Sequence, residues 1–308
     1  MSEYYIKRSP GDTLEVGKRV IRRDVWVHSR GTSRELDELT HEFLLNKNIL
    51  LDVRDEHELP RIEHDHDAVY VFLRTPENGS ATTAVKTYPV VAVLLPHAFI
   101  TVAPKSSFSP QAVADLPFST DHPGQVFLIT LADVVSRFEE RIRAANEQIA
   151  SLRHSLQTHE VNNTDFVRFV TIEDNLSEYH IHLEHTLRVT QRLHESAFMV
   201  FSSVDKEMLE DTLLHIQQLL VSVSANRQTL ASIQNAYSTI ANNTLNSRMK
   251  TLTGITILMA IPNIIFGMYG MNVALPVQEN PFAFGAVLAA TTLLILLVVV
   301  LVKRAKLF

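Results

Sequence analysis

The sequence predicts an α+β membrane protein with an N-terminal α/β domain, a long helical stalk and two C-terminal transmembrane helices. Three observations carry this. Up to about residue 123, short β-rich runs alternate with Gly, Pro, Asn and Asp. From Gln125 to Thr253, 129 residues contain neither Gly nor Pro, which suits only long helices. Between Lys250 and Lys303 the one charged residue in 52 positions is Glu279, an apolar density that belongs in a bilayer.

Composition removes several classes. The 308 residues include no cysteine, so disulfide scaffolds, thiolate metal sites and cysteine enzymes are excluded. A content of 46% hydrophobic and 20% charged residues is too apolar for a disordered chain. The net charge of −6 sits in the soluble part, because residues 251–308 carry one acid and three bases. That balance speaks against a nucleic-acid partner and is compatible with a cation as cargo. The N-terminal MSEYYIKRSPGD lacks the apolar core of a signal peptide, so the N-terminal domain is expected in the cytoplasm. No GxxxxGK, GxGxxG, GxSxG or HExxH motif occurs, and nothing in the residues proposes an enzyme.

In the N-terminal domain, residues 1–123, strands are expected at Asp24–Val27, Ile49–Val53, Ala68–Leu73, Val90–Leu95 and Phe99–Val102, the last two forming a hairpin that turns at Pro96-His97. Thr32 followed by Glu35 is a capping box that starts a helix running toward Leu45. The helical region, residues 124–250, has polar breaks at Val161–Asp165 and Ser202–Asp205, whose Ser and Asp can cap the helix that follows. That helix is expected to run from about Lys206 to about Met268, on the order of 90 Å at 1.5 Å per residue, so it should protrude as a stalk. Leu209, Leu213, Ile216, Leu220, Val223, Leu230, Tyr237 and Ala241 form a seam of period 3.5 interrupted by Arg227 and Gln234. It serves helix packing either within the chain or between chains.

The membrane region, residues 251–308, holds two spans, about 252–271 and 282–302, each near the roughly 20 residues that cross a bilayer, with an external loop at 272–281. Arg248 and Lys250 precede the first span, while Lys303, Arg304 and Lys306 follow the second, and the loop has no Lys or Arg. The positive-inside rule then places both termini in the cytoplasm. The second span is rich in Leu and Val. In the first, Asn242, Asn246, Met249, Thr253, Thr256, Ala260, Asn263, Gly267 and Gly270 make a small or polar stripe, while Ile255, Ile257, Leu258, Ile261, Ile264 and Ile265 lie between. Asn263 at mid-membrane is costly without water or a partner helix. Two spans cannot enclose a channel, so a pore requires an oligomer lined by the first span of each subunit.

The first span closes as Ile261-Pro262-Asn263-Ile264-Ile265-Phe266-Gly267-Met268-Tyr269-Gly270-Met271-Asn272. This resembles the CorA family of magnesium transporters, whose signature is Tyr-Gly-Met-Asn at the outer end of the penultimate transmembrane helix. The resemblance implies a funnel-shaped homopentamer in the cell membrane, with Mg²⁺ as both transported and regulatory ion and no other cofactor. Co²⁺ and Ni²⁺ are further candidate cargoes. It also implies that Gly270, Met271 and Asn272 form the pore entrance, with the Asn272 amide meeting the arriving ion. Mg²⁺ dehydrates reluctantly, and a ring of neutral oxygens can hold its hydrated form. Asn246 matches a polar ring near the cytosolic end of the pore. Asn263 stands where many members carry Thr, and Ala260 where some carry a bulky gate Met, leaving Leu252 and Met249 as substitutes. Cytosolic Mg²⁺ bound between subunits would hold the pore closed, and Asp211, with Glu210 and Glu207 beside it, matches a carboxylate of that regulatory site. A partner near Glu77 matches poorly.

A zinc-transporting branch of the same family is the nearest alternative. Glu178, His182 and His185 share one helical face, and Glu63-His64-Asp65-His66-Asp67 is an acidic-His cluster, although both suit solvated surface better than a zinc site. A membrane-anchored helical scaffold without transport is the alternative from another class, and it leaves the polar stripe unexplained.

Overall fold

A computed structural model of the chain describes residues 2–17, 23–77, 85–105, 108–158, 163–195, 201–273 and 280–304. The chain divides into two compact units, Met1–Ile233 and Gln234–Phe308.

The first unit is built on a seven-stranded sheet of β1 (Glu3–Ile6), β2 (Glu15–Val16), β3 (Val25–Ser29), β4 (Arg61–Asp65), β5 (Ala68–Pro76), β6 (Thr87–Leu95) and β7 (Ala98–Val102), in the order β2-β1-β3-β7-β6-β5-β4. Only the central β3–β7 pair is parallel; all other neighbours are antiparallel. The expected hairpin is present, since Leu95 pairs with Ala98 across Pro96-His97. Alternation along the strands serves two faces. Val25, Val27, Val91, Val93, Ile100 and Val102 pack with Leu36, Leu39 and Leu50 on one side. On the other, Trp26 lies against Phe99, Phe108 and Phe118, and Phe99 against Phe127.

Helix α1 (Ser33–Phe43) begins as expected, with Thr32 Oγ1 accepting from the Glu35 amide and the Glu35 carboxylate accepting from the Thr32 amide. Gly31 precedes it at φ +65°, where a Cβ would meet Val102 Cγ1 at 2.9 Å, so only glycine fits. The expected strand at Ile49–Val53 is not formed. Instead α2 (Lys47–Leu51) starts at Asn46, whose side chain accepts from the Asn48 amide, and a 3₁₀ turn follows over Asp52–Arg54. The helical spacing of Leu50 and Val53 sends both inward, 0% and 1% exposed, and a short apolar run does not by itself separate helix from strand.

Three long helices follow: α3 (Pro123–Thr158), α4 (Asn163–Glu195) and α5 (Ser203–Tyr269). The first expected break lies partly outside the described residues, with Asn163, Thr164 and Asp165 in the first turn of α4. At the second, Ser202 and Asp205 form a reciprocal cap, each side chain accepting from the other's amide at 3.1 and 2.9 Å. Phe138 of α3 meets Tyr179 of α4 edge-on. Histidine–carboxylate contacts tie α5 to both neighbours, His215 to Glu139 at 3.1 Å and His194 to Glu210 at 3.2 Å.

The seam on α5 differs from the expected one. Its buried positions are Leu209, Thr212, Ile216, Leu219, Val223, Asn226, Leu230 and Ile233. Leu213 and Leu220 are half-buried, and Arg227, Gln234 and Ala241 are exposed. Alternate members of the period therefore shift by one residue, which takes Arg227 and Gln234 out of the contact and places the packing of this stretch inside the chain.

In the second unit, α5 continues through Pro262 to Tyr269 and is followed by α6 (Ala283–Arg304). Both are long and apolar enough to cross a membrane. The expected external loop falls outside the described residues over 274–279, as does Lys306.

Candidate functional site

Within the second unit, exposure along α5 separates two faces. Gly254 is buried and Leu258, Ile261 and Ile265 are half-buried, a stripe at spacings of four and three. On α6, Thr291 is buried and Val287, Ile295 and Val298 are half-buried. Because these two helices make up the described part of this compact unit, the less exposed stripe of each is the one that the other helix can cover. Asn246, Met249, Leu252, Thr253, Thr256, Asn263 and Gly267 are exposed, and Ala260 is half-exposed. At about 100° per residue, the centre of the small and polar stripe lies roughly 145° from the centre of the α6-facing stripe. The wettable face of α5 therefore points away from the chain's own second span.

The chemistry of that face is acceptor-rich. Thr253 and Thr256 donate their hydroxyl hydrogens to the carbonyls of Met249 and Leu252, each at 2.9 Å, which leaves oxygen lone pairs outward. Asn246, Asn263 and Asn272 are exposed, and their side chains make no hydrogen bond to another described residue. Pro262 has no amide hydrogen, so the Leu258 carbonyl loses its helical donor one turn below. The helix ends where the motif begins. The Gly270 amide still donates to Phe266 O at 2.9 Å, and the Met271 amide tightens onto Met268 O at 3.3 Å. A Cβ on Gly270 would meet that same Phe266 oxygen at 3.3 Å. Gly270 is the first residue past the helix, and Met271 and Asn272 stand exposed beyond it.

The carboxylates assigned to regulation lie in the first unit. Glu207, Glu210 and Asp211 are exposed on α5. Glu210 accepts from His194, whereas Glu207 and Asp211 have no partner among the described residues. Glu77 is exposed, and its backbone, not its carboxylate, is bonded, to Lys86 and Arg141.

The candidate zinc ligands are used structurally. Glu178 accepts from His182 Nε2 at 2.8 Å and from Thr87 Oγ1 at 3.1 Å, and the His182 bond holds its carboxyl below the usual range. Burial lowers His185. Glu63 pairs with Arg61 and Asp65 with Asn46 and His66, so the acidic-His cluster is the end of β4 and its turn into β5. Among the described residues no three His, Cys, Asp or Glu side chains are grouped to hold a metal.

The reading from residues did not single out the α6-facing stripe of α5. Its signal was Gly254, a buried residue that ends the long Gly-free stretch.

The family model described as CorA-like Mg²⁺ transporter protein matches residues 24–304. The chain belongs to the CorA family. It is 24% identical over 256 residues to the cobalt/magnesium transport protein CorA of Methanocaldococcus jannaschii, covering 82% of this chain and 80% of that protein. The complete structure of the CorA magnesium transporter from the same organism superposes with a TM-score of 0.83 at 20% identity, covering 99% of this chain and 98% of the other. The full-length CmaX protein gives 0.74 at 14% identity, covering 97% of each chain. As a CorA family member the chain is a membrane protein and a divalent-cation transporter, not an enzyme.

Proposed function

We propose that the chain mediates Mg²⁺ influx as a homopentamer, with the small and polar face of α5 lining a central pore. The observation that carries this is the opposition of that face to the α6-facing stripe, because residues turned from the chain's own second span are free to meet the same face of neighbouring copies. Gly270, Met271 and Asn272 form the entrance. Five Asn272 amides would hold hydrated Mg²⁺ through its water shell, which suits an ion that dehydrates reluctantly. Asn263 and Asn246 supply further neutral polar rings, and Met249 and Leu252 are the apolar constriction available where Ala260 is small. Basic residues at Arg248, Lys250, Lys303 and Arg304 favour cytoplasmic termini. Flow needs no nucleotide, since the membrane potential supplies about 2.3 kcal/mol per charge per 100 mV, and about twice that for a divalent ion. Cytosolic Mg²⁺ closes the pore through Asp211, Glu210 and Glu207. Residues 1–123 and 124–250 act as the sensing domain and the stalk, and 251–308 as the conducting domain.

The test is uptake into proteoliposomes loaded with a Mg²⁺-sensitive dye under an inside-negative potential. Wild type should take up Mg²⁺, and Asn272→Ala should lose that uptake while remaining oligomeric. A variant that conducts like wild type would remove the entrance assignment, and uptake of Zn²⁺ alone would move the chain to zinc transport.

A further inference from the structure

We propose that the first unit carries a binding site for a small hydroxyl-bearing phosphate ester, in the pocket between the end of β1, the start of β3 and the loop before α3. This cavity of about 360 Å³ is lined by Arg8, Arg23, Asp24, Ser119, Thr120 and Asp121, a size in the range of small-molecule sites.

Its floor is built without a ligand. Ser119 and Thr120 are buried. Ser119 Oγ lies 3.0 Å from the carbonyl oxygens of both Lys7 and Arg8, and Thr120 Oγ1 donates to the Asp24 carbonyl at 2.7 Å. The Thr120 amide donates to Lys7 O at 2.8 Å and the Asp24 amide to His97 O at 2.7 Å. One dipeptide therefore fixes the backbones that carry Arg8 and Asp24. Asp24 is held at φ +57°, a conformation that costs a non-glycine residue and persists because these bonds determine it.

The four charged side chains around this floor are exposed. Arg8, Arg23 and Asp24 make no side-chain hydrogen bond or ion pair among the described residues, and Asp121 is matched only by His122 at 3.9 Å. Two guanidiniums and two carboxylates thus line one cavity without neutralising each other. A simple anion would leave the carboxylates unanswered, and a metal cation the arginines. Guanidinium forks match phosphate oxygens in bidentate geometry, while ionised carboxylates only accept and so call for hydroxyl or amino donors. A monophosphate ester of a polyol presents both, and nucleoside and sugar phosphates share that chemistry.

The test is titration calorimetry on the full chain in detergent, without Mg²⁺, using adenosine monophosphate, ribose 5-phosphate and inorganic phosphate as probes. At least one ester should bind, and Arg8→Ala and Arg23→Ala should each weaken it roughly tenfold to a hundredfold, the loss of a charged hydrogen bond, with unchanged melting temperature. Asp121→Asn should weaken the ester and leave inorganic phosphate unaffected. Preference for the adenosine ester would identify a nucleotide, and equal binding of the two esters a sugar phosphate. Absence of heat at millimolar probe, indifference to both arginine substitutions, or phosphate binding as tight as the esters would each overturn the assignment. Because binding is read without flux, its outcome is independent of the transport reading.

Discussion

At the scale of single residues, the chain contains a histidine held neutral by burial. Trp26 Nε1 donates to Thr101 Oγ1 at 3.0 Å, and Thr101 Oγ1 lies 3.0 Å from His28 Nδ1. Burial lowers the His28 pKa to about 4. A histidine whose folded pKa lies below its unfolded value of about 6.5 takes up protons preferentially when unfolded. Stability is then complete above about pH 6.5 and declines as pH falls toward 4. The melting temperature should drop between pH 7 and pH 5, and the drop should shrink in His28→Gln. An equal drop in that variant would assign the effect to other groups. The same local reasoning reads Thr32 and Glu35 correctly from sequence, because a capping box depends only on residues three apart.

At the scale of elements, α5 carries the main difference between expectation and structure. A period of 3.5 identifies a packed helix, but two adjacent stripes satisfy it, and which one is covered depends on where α3 and α4 lie. The buried stripe includes Thr212, a polar residue that a hydrophobic criterion passes over in favour of Leu213, and Asn226, which lies next to the interrupting Arg227. The stripes predict distinct energetics. Leu219→Ala, at a position 6% exposed, should cost about 2 to 4 kcal/mol. Leu214→Ala, at 54% exposed, should stay within about 0.5 kcal/mol in a single chain, and denaturant titration in detergent checks both. In the membrane, Gly254 is the small residue of the α6-facing stripe. Gly254→Leu should push the spans apart and lower both the melting temperature and Mg²⁺ uptake, whereas Gly267→Ala, where a Cβ meets nothing within 4 Å, should leave the fold of a single chain unchanged.

At the scale of the whole molecule, the proposed pore and the proposed regulatory site would both be built from several copies of the chain, using the exposed polar face of α5 and the exposed carboxylates of its first turns. If Asp211 contributes to a Mg²⁺ site formed by assembly, Asp211→Ala should leave the subunit count unchanged and weaken inhibition of uptake by internal Mg²⁺. Native mass spectrometry and dye uptake at varied internal Mg²⁺ check the two halves, and a variant still fully inhibited would remove Asp211 from the sensor. The assembly itself should measure as five subunits.

The sequence alone determined what depends on neighbours along the chain. The two spans follow from apolar length, the long helices from the absence of Gly and Pro, the caps from residues three apart, and the Gly270-Met271-Asn272 terminus from a motif at the end of a span. The polar stripe was legible for the same reason, since a helix converts spacing directly into direction. Tertiary structure decided what depends on residues far apart in sequence. The run at Ile49–Val53 became helix because both periods suit a short apolar segment, and the core under the sheet selects the one that buries Leu50 and Val53. Edge strand β4, with one aliphatic residue, exists because β5 supplies its hydrogen bonds. The pocket around Ser119 and Thr120 joins residues more than a hundred positions apart. The α6-facing stripe was decided in the same way, because a stripe has a direction on its own helix but acquires a partner only when a second helix is placed against it.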